Sequence, residues 1–123
     1  MKRPELKDLN DAELATRFAG AGRQMGSAVL DSETGKANRI FQYMEDIDEV
    51  LRSRGNGSRL SLAPLLDDKN RFVRYYAAQY LLGIVPDRAR AIIEWNYKYG
   101  FDAIAGDAGM TLHNLDTGFY KPD

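Results

Sequence analysis

The stretch from Leu62 to Leu82, LAPLLDDKNRFVRYYAAQYLL, restricts the fold more than any other part of the chain. Two apolar runs flank a polar turn, Asp67-Asp68-Lys69-Asn70. The first run ends in Leu65-Leu66. The second carries Val73, Ala77, Leu81 and Ile84 at i, i+4, i+8 and i+11, which places them on one side of a helix. A short helix and a longer one back to back make a helical hairpin. Small residues such as Ala77 and Ala78 suit a helix sandwiched between neighbours, because its axis approaches theirs closely and its apolar arc is wide. The hairpin is therefore expected to be a middle layer.

The flanking sequence supplies layers on either side. Residues 1–8 are polar and read as a short arm. Asn10 is an N-cap with Glu13 at N3, a capping box in which Asn replaces Ser or Thr. Leu14, Phe18, Ala21, Met25 and Ala28 then form one stripe of a helix that also holds Gly20, Gly22 and Gly26. An interior glycine costs about 1 kcal/mol relative to alanine. Either a neighbour packs closely against the Gly22–Gly26 edge or the helix is irregular there, and close packing is the preferred reading. After a turn at Asp31–Gly35, a helix over about Lys36–Arg54 turns Ile40, Met44, Ile47 and Leu51 inward and Glu45, Asp46, Asp48 and Glu49 outward, with Gly55 as its left-handed end. Ser58 or Ser61 can cap a short third helix with Pro64 in its first turn. The fourth helix, about Asn70–Val85, stops at Pro86. Asp87 caps the fifth, which reaches about Tyr97. The sixth, about Asp102–Thr117, turns Ile104, Ala108, Leu112 and Leu115 inward. No alternating β-branched run is present, so no strand is expected. The expected fold is all-α, a single domain of three antiparallel helix pairs (9–55, 58–85 and 87–118), with the last two pairs repeating at about 30 residues.

The pattern LxxLLxDxNxxVRxxAAxxLL, Leu62 to Leu82, resembles a repeat of the HEAT/armadillo type. The resemblance implies a short right-handed α–α superhelix. It also implies a tie between a turn acid, Asp67 or Asp68, and Arg74. The pair over Asp87–Thr117 matches loosely, since Asp102-Ala103 stands where Val-Arg would be, and the first pair carries no such motif. The whole chain is also similar to an uncharacterised bacterial family of small HEAT-like proteins, which implies no particular activity.

Composition narrows the function. The 123 residues contain no cysteine, which removes disulfide, thiolate-zinc and cysteine-nucleophile chemistry. With 17 basic and 18 acidic residues the net charge is −1, so phosphate-dominated nucleic-acid binding is disfavoured. No signal sequence or membrane-length apolar run is visible, and a cytoplasmic location is expected. His113 is the lone histidine, and no hydroxyl–acid pair near it suggests a triad, so neither catalysis, a metal nor a cofactor is expected. The Gly20–Gly26 run is read as helix rather than phosphate loop, because no strand precedes it. The acidic run Glu45–Glu49 reads as a solvated face.

One candidate surface stands out. Phe72, Tyr75, Tyr76, Gln79 and Gly83 form a second stripe on the fourth helix, roughly opposite Ala77 and Leu81, with Met110 and His113 in similar phase on the sixth. Tyrosine and phenylalanine are rigid and amphipathic, which suits recognition. The stripe is either covered by the first helix pair or partly exposed, and the exposure of Tyr75 and Tyr76 decides which. Trp95, Tyr97, Tyr99 and Phe101 are expected to fill core near Gly100, with Phe119 and Tyr120 folding back on them. The leading expectation is a non-enzymatic module that binds a protein or peptide. The alternatives are nucleic-acid binding through Arg71, Arg74, Arg88 and Arg90, or self-association through an open end of the stack.

Overall fold

The computed structural model describes residues 5–100 and 102–123. Among them, a 3-10 turn at Leu6–Asp8 leads into α1 (Asp11–Leu30) and α2 (Thr34–Arg54). A single helical turn, α3 (Asn56–Arg59), runs directly into a 3-10 segment, Leu60–Asp67. Then come α4 (Arg71–Leu81), α5 (Pro86–Tyr99) and α6 (Ala103–Asp116), and no strand occurs among the described residues. The fold is all-α.

Side-chain caps start three of the long helices. The Asn10 side chain accepts from the Glu13 amide at 2.8 Å, and Glu13 returns the bond at 3.1 Å, so the capping box is complete. Asn70 accepts from the amides of Phe72 and Val73, and Asp102 from that of Ile104. Each such cap satisfies amides that a helix start otherwise leaves without partners.

The hairpin through Asn70 is central. α4 packs against α1, against α5 and against its own 3-10 partner, while α1 pairs with α2 and α5 with α6. Most of the expected inward residues are buried, among them Leu14, Phe18, Met25, Met44, Ile47, Leu51, Val73, Ala77, Leu81, Ile104 and Ala108, while Ile84 and Leu115 are half-buried at the margin of the core. The glycines of α1 are explained by close approach. α1 is continuous, and a Cβ on Gly22 would lie 3.1 Å from the Cα of Val73, while one on Gly26 would overlap the Phe72 ring.

Several boundaries differ from the sequence reading. Gly55 takes φ +113° and ψ 175°, a glycine conformation that turns the chain at once, so the third element begins at Asn56 rather than after a serine cap. Pro64 lies inside that element and has no N–H for an α-type bond, and the segment winds as a 3-10 helix that buries Leu62 and Leu66. α4 ends at Leu81, where the Leu81 carbonyl accepts from the amides of both Ile84 and Val85. Pro86 therefore opens α5 rather than closing α4, at the first helical position where its missing N–H costs nothing. Asp87 sits in that first turn and does not cap it.

The aromatic cluster near Gly100 does not fill core. Trp95, Tyr97 and Tyr99 are 47, 58 and 56% exposed. α5 buries Ala89, Ile93 and Asn96, one stripe at i, i+4 and i+7, and the three rings fall outside it. Phe101 lies outside the described residues. The tail does not fold back on the cluster either: Phe119 is exposed, and Tyr120 lies beside α2 residues instead.

Candidate functional site

The expected recognition stripe on α4 is largely covered. Phe72, Tyr75 and Tyr76 are buried. Phe72 lies under Gly26 of α1. Tyr75 turns toward α6, where its hydroxyl donates to Asp107 Oδ2 at 2.5 Å. Gln79 Nε2 donates to the Tyr75 hydroxyl at 2.8 Å and to Thr111 Oγ1 at 3.0 Å. Met110 and His113 are exposed but stand apart from the stripe, His113 in a shallow depression with Arg90, Glu94 and Tyr97 of α5. The structure thus brings Tyr75, Tyr76 and Gln79 together and leaves Met110 and His113 out.

A different surface is formed beside that stripe. α2 and α6 stand as walls with α4 between them as floor, enclosing an open groove of about 540 Å³. Glu45, Asp48, Glu49 and Arg52 come from α2, Asp107 and Thr111 from α6, and Tyr76, Gln79 and Tyr80 from α4. Tyr120 lines the groove as well. The floor is stiff: Tyr75 meets Tyr76 edge-on at 5.3 Å, and Tyr80 meets Phe18 of α1 edge-on at 5.6 Å. The Tyr80 hydroxyl donates to Glu45 Oε1 at 2.6 Å, so each wall carries a carboxylate fixed by a tyrosine of α4. Burial, joined by the neighbouring carboxylates, pushes the hydroxyls of Tyr75, Tyr76 and Tyr80 far above the usual phenol range, which keeps them donors.

Asp48 departs from the sequence reading. It is buried rather than solvated, and it accepts from Arg52 Nε at 2.6 Å. The signal was present, since Asp48 falls at i+4 from Met44 and beside Ile47, inside the apolar arc of α2. Burial raises its pKa even against the pull of Arg52. A carboxyl raised on folding favours the protonated native form, so stability falls as pH rises past the ordinary value of 3.8. Asp48→Asn is expected to raise the Tm at pH 7 and to leave it unchanged near pH 3, as measured by calorimetry; a loss at pH 7 would show the Arg52 bond to outweigh burial. Asp102 behaves oppositely: burial works against its charge, but Arg71 and the Ile104 amide hold it below the usual range.

The turn acids and arginines are used structurally. Arg74 donates to the main-chain carbonyls of Asp68 and Lys69, not to a carboxylate. The Asp68 side chain accepts from the Asn70 amide, and Asp67 pairs with Arg88 at 3.0 Å. Arg71 pairs with Asp102, joining α4 to the cap of α6, and Arg90 pairs with Glu94 and Asp116. Among the described residues, no group of three or more histidine or acidic side chains is placed to hold a metal ion. No described helix is long and apolar enough to cross a membrane.

Fold and site together define a small all-α protein with an acid-walled, tyrosine-floored groove. The chain belongs to the family described as Domain of unknown function (DUF2019), which matches residues 12–116. It is similar to a solved structure, the "Crystal Structure of the Protein RPA1889 from Rhodopseudomonas palustris CGA009", at 31% identity and a TM-score of 0.89, over 98% of this chain and 100% of that one. No curated protein matches the chain.

Proposed function

We propose that this chain is a non-enzymatic binding module, a short right-handed α–α superhelix of the HEAT type whose groove takes an extended, cationic peptide segment of a protein partner. The observation that carries the reading is the groove itself: α2, α4 and α6 line it side by side, as second helices line the concave face of a helical stack. Asp48 and Arg52 neutralise each other, which leaves Glu45, Glu49 and Asp107 to set the sign. Lysine and arginine side chains fit such a surface twice over. Their charges meet the carboxylates, and their stems and cationic heads lie well on tyrosine rings. The carboxylates Glu45 and Asp107 already accept tyrosine hydroxyls, which suits a fixed recognition wall. The same acidic sign disfavours a phosphate backbone in the groove.

The test is titration of the full chain with heptalysine amide by calorimetry at low salt. Binding is expected, with affinity falling as ionic strength rises through the range where the Debye length shrinks below about 10 Å. Glu45→Gln with Glu49→Gln is expected to weaken it about tenfold, at roughly 0.5–1 kcal/mol for each partly screened charge. Heat signals absent at low salt, or equal affinity for heptaglutamate, would end this reading.

Self-association is a second reading, favoured by the exposed pair Trp95 and Tyr99, whose rings lie 5.6 Å apart on α5. Light scattering that returns a dimer, reverted by Trp95→Ser, would support it.

A further inference from the structure

The C-terminal segment brings Tyr120 to the groove and Asp123 to Arg52 and Arg59, contacts the binding reading does not use. Gly118, with φ +75°, turns the chain after α6. The Tyr120 amide then bonds to the Asn114 carbonyl at 3.0 Å, and the Tyr120 ring lines the groove. At its far end, Asp123 reaches the α2–α3 side of the molecule. Its main-chain carbonyl accepts from Arg59 Nη1 at 2.7 Å, and its side chain lies 3.6 Å from Arg52 Nη1.

The receiving notch has the marks of a built site. Arg59 is only 4% exposed, Nη2 is held by the Tyr80 carbonyl at 3.3 Å, and its Nε is buried without a partner. A buried guanidinium is costly unless acceptors surround it, and Asp123 supplies one. Gly83 forms the other wall. Its φ lies outside the left-handed region, so no backbone demand requires glycine there. Space does: a Cβ at Gly83 would fall on the main-chain carbon of Asp123. The tail is otherwise lightly held: Phe119 is 84% exposed, Lys121 between the two anchors is exposed, and the Asp123 side chain is itself 86% exposed. A segment fixed at its ends with little buried area opens at low cost.

We propose that Gly83, Arg59 and Arg52 form a receiving site for the main-chain carbonyl and the carboxylate of an extended chain segment, filled by residues 119–123 of the same chain, and that this tail is a removable strap over the groove. A groove ligand and the docked strap then exclude each other in part, and release of Asp123 widens the groove beside Tyr120. The proposal rests on the groove as the binding face, but its test needs no groove ligand. Backbone ¹⁵N heteronuclear NOEs of Tyr120, Lys121 and Asp123 report docking in the full chain. A neutral gadolinium chelate in solution reports how openly the Gln79 side-chain amide meets water. Gly83→Val is expected to drop the tail NOEs from helix-like values toward zero and to raise relaxation at Gln79 at least about twofold, as low-stability segments do when freed. Asp123→Lys, which touches only the tail, is expected to do the same and decides the matter should Gly83→Val fail to fold. Tail NOEs that stay high in the variants, or a freed tail with Gln79 relaxation unchanged, would overturn the strap. Silence of heptalysine in the earlier titration would instead remove the cationic-peptide reading and leave this outcome standing.

Discussion

Tyr75→Ala is expected to remove a large part of the chain's stability at 25 °C and to lower its urea midpoint more than any other single change considered. The ring is fully buried, faces Tyr76 edge-on and sends its hydroxyl to Asp107. Truncating a buried aromatic to alanine costs about 3–5 kcal/mol, because the neighbours only partly close the void. A domain of this size has about 5–15 kcal/mol in all, so the loss consumes a large share. Tyr75→Phe separates the two contributions. It keeps the ring and removes the hydroxyl that Asp107 and Gln79 share, at a cost of about 1–2 kcal/mol. Urea unfolding followed by far-UV circular dichroism checks both, with a large fall in midpoint for alanine and a modest one for phenylalanine. An alanine variant with a midpoint close to the parent's would show that the α4–α6 contact through Tyr75 contributes little. Alanine at this position consequently reports folding, and recognition is better probed at Glu45 and Glu49 on the rim.

The same tyrosines show how much the sequence disclosed. The period of Val73, Ala77 and Leu81 located α4 and its buried face, and Asn10, Asn70 and Asp102 announced helix starts, because these signals act within a few residues of each other. The two glycines of α1 announced a close neighbour without naming it. What stayed hidden depends on long-range placement. Periodicity ranked Phe72, Tyr75 and Tyr76 as a second face but could not say that α1 packs over Phe72 or that Asp107 of α6 takes the Tyr75 hydroxyl. Glu45 and Asp107 sit 62 residues apart in sequence, and only the stacking of α2 and α6 beside α4 makes them opposite walls of one groove. The tail was misplaced for a similar reason. Phe119 and Tyr120 look like core filler, yet the decisive residues are Gly83 and Arg59, neither of which signals a tail. Local propensity also overstated the third helix, where Gly55 and Pro64 together select a turn and a 3-10 segment.

Gly26→Val is expected to be nearly as damaging as Tyr75→Ala, and here two opposing effects must be weighed. A side chain in mid-helix gains up to about 1 kcal/mol over glycine from propensity alone. Against this, a Cβ at Gly26 would stand 2.6 Å from Phe72 Cγ, at the stem of a buried side chain that cannot swing away as a flexible tip would. Overpacking a tight interface costs about 1–3 kcal/mol per insertion, and valine adds two further methyl groups at the same crossing. The net expectation is a loss of about 2–3 kcal/mol for valine and a smaller loss for alanine. Gly20 supplies the contrast on the same helix. Its added Cβ would meet only the Arg23 guanidinium, at 3.8 Å, so Gly20→Ala is expected to stabilise the chain by about 0.5–1 kcal/mol. If the α1–α4 crossing is the cause, Gly26→Ala combined with Phe72→Leu should cost less than the sum of the single changes, by about 1 kcal/mol, as contacting sites couple. Strict additivity in urea midpoints, or a stabilised Gly26→Ala, would mean that α1 does not press on Phe72 and that something other than α1 shields the second face of α4.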